Sequence, residues 1–488
     1  MDNTKQNVFF NMIWRFAERS GAQIVQFIVQ VILARILAPE AYGTIALITV
    51  FTTILQVFVD SGLGNALIQK KDADDLDFST VFFTNVILCI ILYGIIFLIA
   101  PIIARFYNDL SLISFIRVLS ITILISGIKN VQQAYVSKNF LFKKFFASTI
   151  GGTIIAGIVG IIMALKGFGV WALIAQQIIN VAIGTMVLWL TVKWRPKLQF
   201  SFNRLKGLFS YGWKLLVSAL IDTLYNDIQQ LVIGKKYTTS DLAYYNKAKQ
   251  FPNLIVTNIN SSIDSVLLPT MSNVQDDKDK VKNMTRKSIK TSIFIMAPLM
   301  MGLAFTGKNV IELLLTSKWL FCTPYLVIFC ITYMFYPVHT ANLNAIKAMG
   351  RSDLFLKLEI IKKCVGVTLL LITMNISVMA MAYSLIISCI CSQIINSWPN
   401  KKLLNYSYID QLRDILPSIL LAVVMGLIVS LFNLLNVHII IKLFLQVMIG
   451  GVFYIFGAKL LKLDSFEFLT NIIKGLIVKK TKHNNKLC

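Results

Sequence analysis

Apolar runs long enough to cross about 30 Å of hydrocarbon recur along the whole chain, separated by short polar connections. About fourteen can be counted, centred near Gln23, Val57, Leu92, Ile123, Ala156, Asn180, Asp222, Thr257, Ala297, Thr332, Leu369, Ser388, Val424 and Phe453. The pattern predicts an all-α polytopic membrane protein with no sizeable soluble domain. One segment departs from it. From Asn11 to Gln30 the chain reads NMIWRFAERSGAQIVQFIVQ. Arg15, Arg19, Gln23, Gln26 and Gln30 fall within roughly 80° of one helix face, with Glu18 beside them. Lipid does not accept such a stripe, and intramembrane charges face a protein interior or a water-filled cavity.

The stripe has a counterpart. Lys214, Ser218, Asp222, Tyr225 and Gln229 repeat the offsets of Arg15, Arg19, Gln23, Gln26 and Gln30 at a shift of 199 residues, and Trp213 repeats Trp14. In the following segments Thr49, Thr53, Gln56 and Asp60 correspond to Asn253, Thr257, Asn260 and Asp264 at a shift of 204. A longer loop, Lys235 to Asp241, is expected to absorb the difference. Self-similarity after six helices predicts two six-helix lobes in parallel orientation about a pseudo-twofold axis, with the binding region between them. The expected layout is a first lobe over 1–200 and a second over 201–405. Two further helices then occupy 406–462, and a basic tail 463–488.

Composition agrees. The 488 residues are 56% hydrophobic and only 14% charged, well below a soluble protein. A net charge of +24 raises the question of nucleic acid. The basic residues instead crowd alternate connections, including Lys138, Lys143, Lys144, Arg204, Arg286, Lys287 and Lys401, which is the pattern that orients membrane proteins. Both termini are therefore expected in the cytoplasm. The polar start and the long first apolar run predict a retained helix rather than a cleaved leader. Seven cysteines and three histidines lie apart from one another, so neither a disulfide framework nor a metal site is expected. Asp75-x-Asp77 and Asp277-x-Asp279 imitate a glycosyltransferase motif, but in loops this short they read as solvated charge. No P-loop and no nucleophile–base pair occurs, so no enzyme and no cofactor is expected.

Chemistry then falls to the stripes. Arg15 or Arg19 and Asp60 should share a depth near the cytoplasmic side, as should Lys214 and Asp264. Such groups form either a cationic surface for an anionic substrate, tuned by Glu18, Asp60 and Asp264, or salt bridges that let the helices bury charge. Asn246, Lys247 and Lys249 follow Tyr244-Tyr245; they read as sugar or phosphate contacts or, more simply, as a snorkelling cluster at the interface. Gly152, Ala156 and Gly160 form a close-packing face.

LARILAPEAYGTIALI (Leu33 to Ile48) and DSGLGNALIQKKD (Asp60 to Asp72) resemble the bacterial polysaccharide transport family, the Wzx-type flippases. KNFLFKKF (Lys138 to Phe145), LFSYGWK (Leu208 to Lys214) and LLPTMS (Leu267 to Ser272) fit it too. These flippases belong to the superfamily that includes multidrug antiporters and lipid II flippases. The resemblance implies alternating access by a two-lobed, fourteen-helix transporter in a bacterial cell membrane. Its substrate would be an undecaprenyl-diphosphate-linked oligosaccharide, and Arg15, Arg19 and Lys214 would hold the pyrophosphate. It also implies contact with membrane lipid, a coupling ion (proton or sodium), and partnership with a polysaccharide polymerase and assembly proteins. The alternatives are a cation-coupled drug antiporter, which needs a more acidic cavity, and a polymerase or ligase, which needs a larger outer loop.

Overall fold

A computed structural model describes residues 21–60, 62–471 and 474. Arg15, Glu18 and Arg19 lie outside the described residues. Among the described residues the secondary structure is helical throughout. The helices are α1 (Gly21–Ile36), α2 (Pro39–Asp60), α3 (Leu63–Gln69), α4 (Asp75–Tyr107), α5 (Leu112–Leu119), α6 (Ile121–Lys138), α7 (Phe142–Leu165) and α8 (Val170–Thr191). They continue with α9 (Phe202–Lys236), α10 (Thr239–Ser272), α11 (Lys278–Leu315), α12 (Thr323–Met334), α13 (Tyr336–Ala348), α14 (Ser352–Thr373), α15 (Val378–Leu404), α16 (Tyr408–Leu431) and α17 (Ile439–Leu460). Each predicted segment centre lies in a helix. Among the described residues ten helical stretches are long and apolar enough to cross a membrane. The helices α9, α10 and α14 are long enough but too polar to be among them.

The fold divides into two units, with the boundary between Ala243 and Tyr244. In the first, α7 lies along α8. The small face of α7 makes this possible: a Cβ on Gly152 would come within 2.9 Å of the Asn180 carbonyl oxygen. Close packing of this kind replaces the hydrophobic drive that is missing between helices in lipid. Helix α9 packs against α2, α3 and α4. At one end of the unit Trp194, Phe78, Leu67, Val131 and Leu188 form an apolar core. In the second unit α11 is the central helix, flanked by α12, α13, α16 and α17. Tyr454 of α17 donates its hydroxyl to the Phe294 carbonyl at 3.0 Å, and Arg286 forks onto Asp414 of α16 with two bonds of 2.7 Å. Tyr406 also donates to Asp414, at 2.9 Å. Thus the last two helices are fixed to α11.

Local signals recur between the units. Asp74 caps α4 by accepting the Asp77 N–H at 2.9 Å, and Asp277 caps α11 by accepting the Lys280 N–H at 3.0 Å. Two residues before α7 and before α14 stand Phe140 (φ 55°) and Gly350 (φ 72°), both left-handed. The expected longer loop is corrected. Residues 37–38 join α1 to α2, and residues 237–238 join α9 to α10, so the connections are equal. The change of register lies inside the helices: Asp60 comes 21 residues after Pro39, and Asp264 comes 25 after Thr239.

Candidate functional site

In each unit an exposed carboxylate is backed by buried asparagine. Asn130 of α6 donates its amide to Asp60 Oδ1 at 3.1 Å, and Gln56 donates to Oδ2 at 3.0 Å. Behind them Asn85 of α4 donates to the Asn130 side-chain oxygen at 3.2 Å. In the second unit Asn344 of α13 donates to Asp264 Oδ1 at 2.9 Å. Asn85, Asn130 and Asn344 are buried, while both acids are exposed. The amide donors fix the orientation of each carboxylate. Asn130 stands eight residues before the end of α6, and Asn344 four before the end of α13. Acid and asparagine have thus moved together, by one helical turn, between the units. The sequence reading set these acids beside Arg15, Arg19 and Lys214, either as salt bridges or as the tuning of a cationic surface. Arg15 and Arg19 lie outside the described residues; among those described, amides donate to both acids.

The stripe residues follow. Gln26 on α1 is exposed, with Gln23 and Gln30 half-buried. The Gln30 carbonyl accepts the Tyr42 hydroxyl at 3.4 Å. On α9 Lys214 and Asp222 are exposed, and Tyr225 and Gln229 are half-buried. On α10 the residues from Asn253 to Thr270 are largely exposed on more than one face. Asn246 and Lys249 are half-buried, but Lys247 is only 6% exposed. Its ammonium donates to Gln250 Oε1 at 3.2 Å and lies 5.9 Å from the centre of the Trp319 ring. The snorkelling reading is therefore corrected for Lys247, which points into the second unit.

A second correction concerns Asp77. Its side chain is fully buried, not solvated. Lys70 reaches Asp77 Oδ2 at 2.5 Å and Arg204 at 3.3 Å, while the Asp77 carboxylate also accepts the Asp74 N–H at 3.2 Å. The Asp77 backbone N–H in turn holds the Asp74 carboxyl below the usual carboxylate range. Around this acid the connection from α8 to α9 is docked. Trp194 stacks on Tyr135 and touches Phe78, its carbonyl accepts the Gln132 amide at 3.1 Å, and Lys197 pairs with Asp75 at 2.7 Å. The N–H groups of Lys197 and Ser201 donate to Ser79 and Thr80 at 3.0 and 3.1 Å.

Charged and amide side chains placed along exposed helix surfaces, within bundles that are otherwise apolar, are the equipment of a membrane carrier for polar cargo. The profile of the polysaccharide biosynthesis protein family matches residues 32–324. The chain belongs to that family. It is 24% identical over 413 residues to the teichuronic acid biosynthesis protein TuaB of Bacillus subtilis (strain 168), covering 83% of this chain and 85% of that one. It is also 24% identical over 348 residues to the lipopolysaccharide biosynthesis protein WzxC of Escherichia coli (strain K12), covering 70% and 69%. The succinoglycan biosynthesis transport protein ExoT of Rhizobium meliloti (strain 1021) is 22% identical over 316 residues, covering 65% and 64%. In fold it is similar to lipid II flippase MurJ in an inward closed conformation, with a TM-score of 0.75 at 15% identity over 93% of this chain and 98% of that one. A multidrug resistance MATE transporter of the MOP superfamily, inward-facing, gives a TM-score of 0.61 at 14% identity over 79% and 96%.

Proposed function

We propose that the protein flips lipid-linked oligosaccharide repeat units across a bacterial cell membrane for surface polysaccharide synthesis. Family membership carries this reading, with a transport protein among the relatives and a lipid flippase among the folds. It acts as a carrier and not as an enzyme. A diphosphate linked to sugars needs cations and amides along its path, while its polyprenyl tail stays in lipid. Gln26, Lys214 and Asp222 stand exposed on their helices, as do Asn253, Thr257, Ser261 and Asp264 of α10. We assign Arg15, Arg19, Gln23, Gln30, Tyr225, Gln229, Asn246 and Lys249 to the same path.

Fourteen spans in two six-helix repeats with an added pair account for α9, α10 and α14 as polar spans. The equal connections, the matching aspartate caps and the paired Asp–Asn contacts support this layout. The crowding of Lys and Arg in alternate connections supports cytoplasmic termini. A polymerase and assembly proteins would consume the exported unit.

Deleting the gene and analysing lipid extracts tests the proposal. The expected result is undecaprenyl-linked units held at the inner leaflet with loss of surface polysaccharide. Normal polysaccharide together with new drug sensitivity would replace the flippase with the drug antiporter.

A further inference from the structure

Four apolar helices of the first unit end around the Trp194 cluster. Helices α4 and α7 start there, with Phe78 and Phe145, and α6 and α8 finish there, with Val136 and Leu188. Over that rim the connections expose large apolar side chains. Leu198 tops a tight turn, in which the Gln199 N–H donates to the Lys197 carbonyl at 2.7 Å, and is 95% exposed. Phe200 and Phe202 follow, 52% and 70% exposed. Phe140, between α6 and α7, is 58% exposed and has φ 55°. A bulky residue is strained in that left-handed region. Gly350 makes the matching turn of the second unit without a side chain. The first unit thus carries strain and presents a phenyl ring outward.

We propose that this rim is a docking surface for anionic phospholipid, with Leu198 and the phenyl rings at the edge of the acyl chains and lysines on the headgroup phosphates. Charge selects the occupant. Lys143, Lys193 and Lys206 are exposed, and each adjoins a residue of the cluster or one packed on it: Phe142, Trp194 and Leu205. The acids of the rim are already matched, Asp77 by Lys70 and Arg204, Asp75 by Lys197 and Asp74 by Arg204. Exposed cations beside exposed rings suit a leaflet of anionic headgroups, to which each basic side chain adds attraction. Position agrees. The connection is pinned at the ends of the spans by Trp194 and by the N–H groups of Lys197 and Ser201, so its apolar side chains lie at the hydrocarbon edge. That the leaflet is the cytoplasmic one rests on the topology proposed above; the binding does not.

The full chain, purified in neutral detergent, is melted with phosphatidylglycerol or phosphatidylcholine added at equal mole fraction. Phosphatidylglycerol should raise the midpoint saturably and beyond phosphatidylcholine, whereas inorganic phosphate at the same concentration should not. Lys143→Gln, Lys193→Gln and Lys206→Gln combined should raise the half-saturating fraction about tenfold. Lys401→Gln with Lys402→Gln, two exposed lysines of the second unit, should change it less than about twofold. Phe140→Gly should melt no lower than the parent without lipid, because glycine relaxes the turn, yet lose part of the phosphatidylglycerol shift. If the triple variant does not fold, Leu198→Asp on the exposed turn decides by the same criterion. The surface is overturned if the two lipids act alike, or if phosphate alone reproduces the shift. It is equally overturned if the Lys401 and Lys402 pair costs as much as the triple variant. A Phe140→Gly chain that melts well below its parent would make that ring a packing residue and overturn its role here.

Discussion

Asp60 and Asp264 show what a repeat keeps and what it releases. Both units retain an exposed acid, on α2 and α10, and a buried asparagine, on α6 and α13, displaced together by one turn. The third member differs: a glutamine that bonds the acid in one unit, an asparagine whose oxygen bonds nothing in the other. One methylene thus separates a finished structural cluster from an open one. The ends of the units differ as well. The first buries Asp77 under Lys70 and Arg204, while the second clamps α16 to α11 through Arg286 and Asp414.

Removing Asp77 should break the comparison most severely. Asp77→Ala leaves Lys70 and Arg204 facing a buried hole, a change that costs about 3–5 kcal/mol. The yield of monodisperse protein on size exclusion should collapse, and an Asp77→Ala chain that melts like the parent would refute the buried pair. Next come the asparagines. Asn130→Ala strands the Asn85 amide as well as Asp60, for about 2–3 kcal/mol, against about 1 kcal/mol for Asn344→Ala. Equal melting shifts would mean that the clusters are alike after all. Each acid ranks below the asparagine behind it: Asp60→Asn should lower stability by about 1 kcal/mol and Asp264→Asn by somewhat less, discounted for their exposure.

The smallest effect is at the caps. Asp74→Ala should cost about 0.5 kcal/mol near neutral pH, the low end for a cap, since the side chain is half-exposed. Because the folded carboxyl titrates below its ordinary value, the stabilisation is present above about pH 4 and fades as pH falls through the lowered value. Melting curves of variant and parent should therefore converge in acid. Asp277, capping the matched helix, is also held low by the Lys280 N–H, and its variant should show the same sign.

Much of this was legible in the chain. Apolar runs located the helices, and a shared offset matched Asp60 to Asp264. The small face at Gly152 was read correctly as packing. What escaped notice was long-range. Asn130 lies 70 residues from Asp60 and Asn344 80 from Asp264, and an asparagine within an apolar helix carries no spacing that names its partner. Asp77 was misread because aspartates in a short polar loop look solvated. Asp74-x-x-Asp77 does carry a capping pattern, but its burial depends on Arg204, 127 residues away. Lys247 was misread because a lysine after two tyrosines resembles an interfacial anchor. Its depth comes from Trp319 and Gln250 packing around it.

The docked connection around Trp194 bears on how the chain can be divided. The sequence repeat turns over near residue 200, which looks like the natural place to express the protein as two fragments. Yet Trp194, Lys197, Ser201 and Arg204 all anchor to the α4 start, and α9 beyond them lies against α2. A cut there would leave the first fragment without its stopper and the second with a frayed, sticky beginning. A nick in the exposed bend at Leu435–Val437 severs none of these anchors, and fragments made there should reassemble far better.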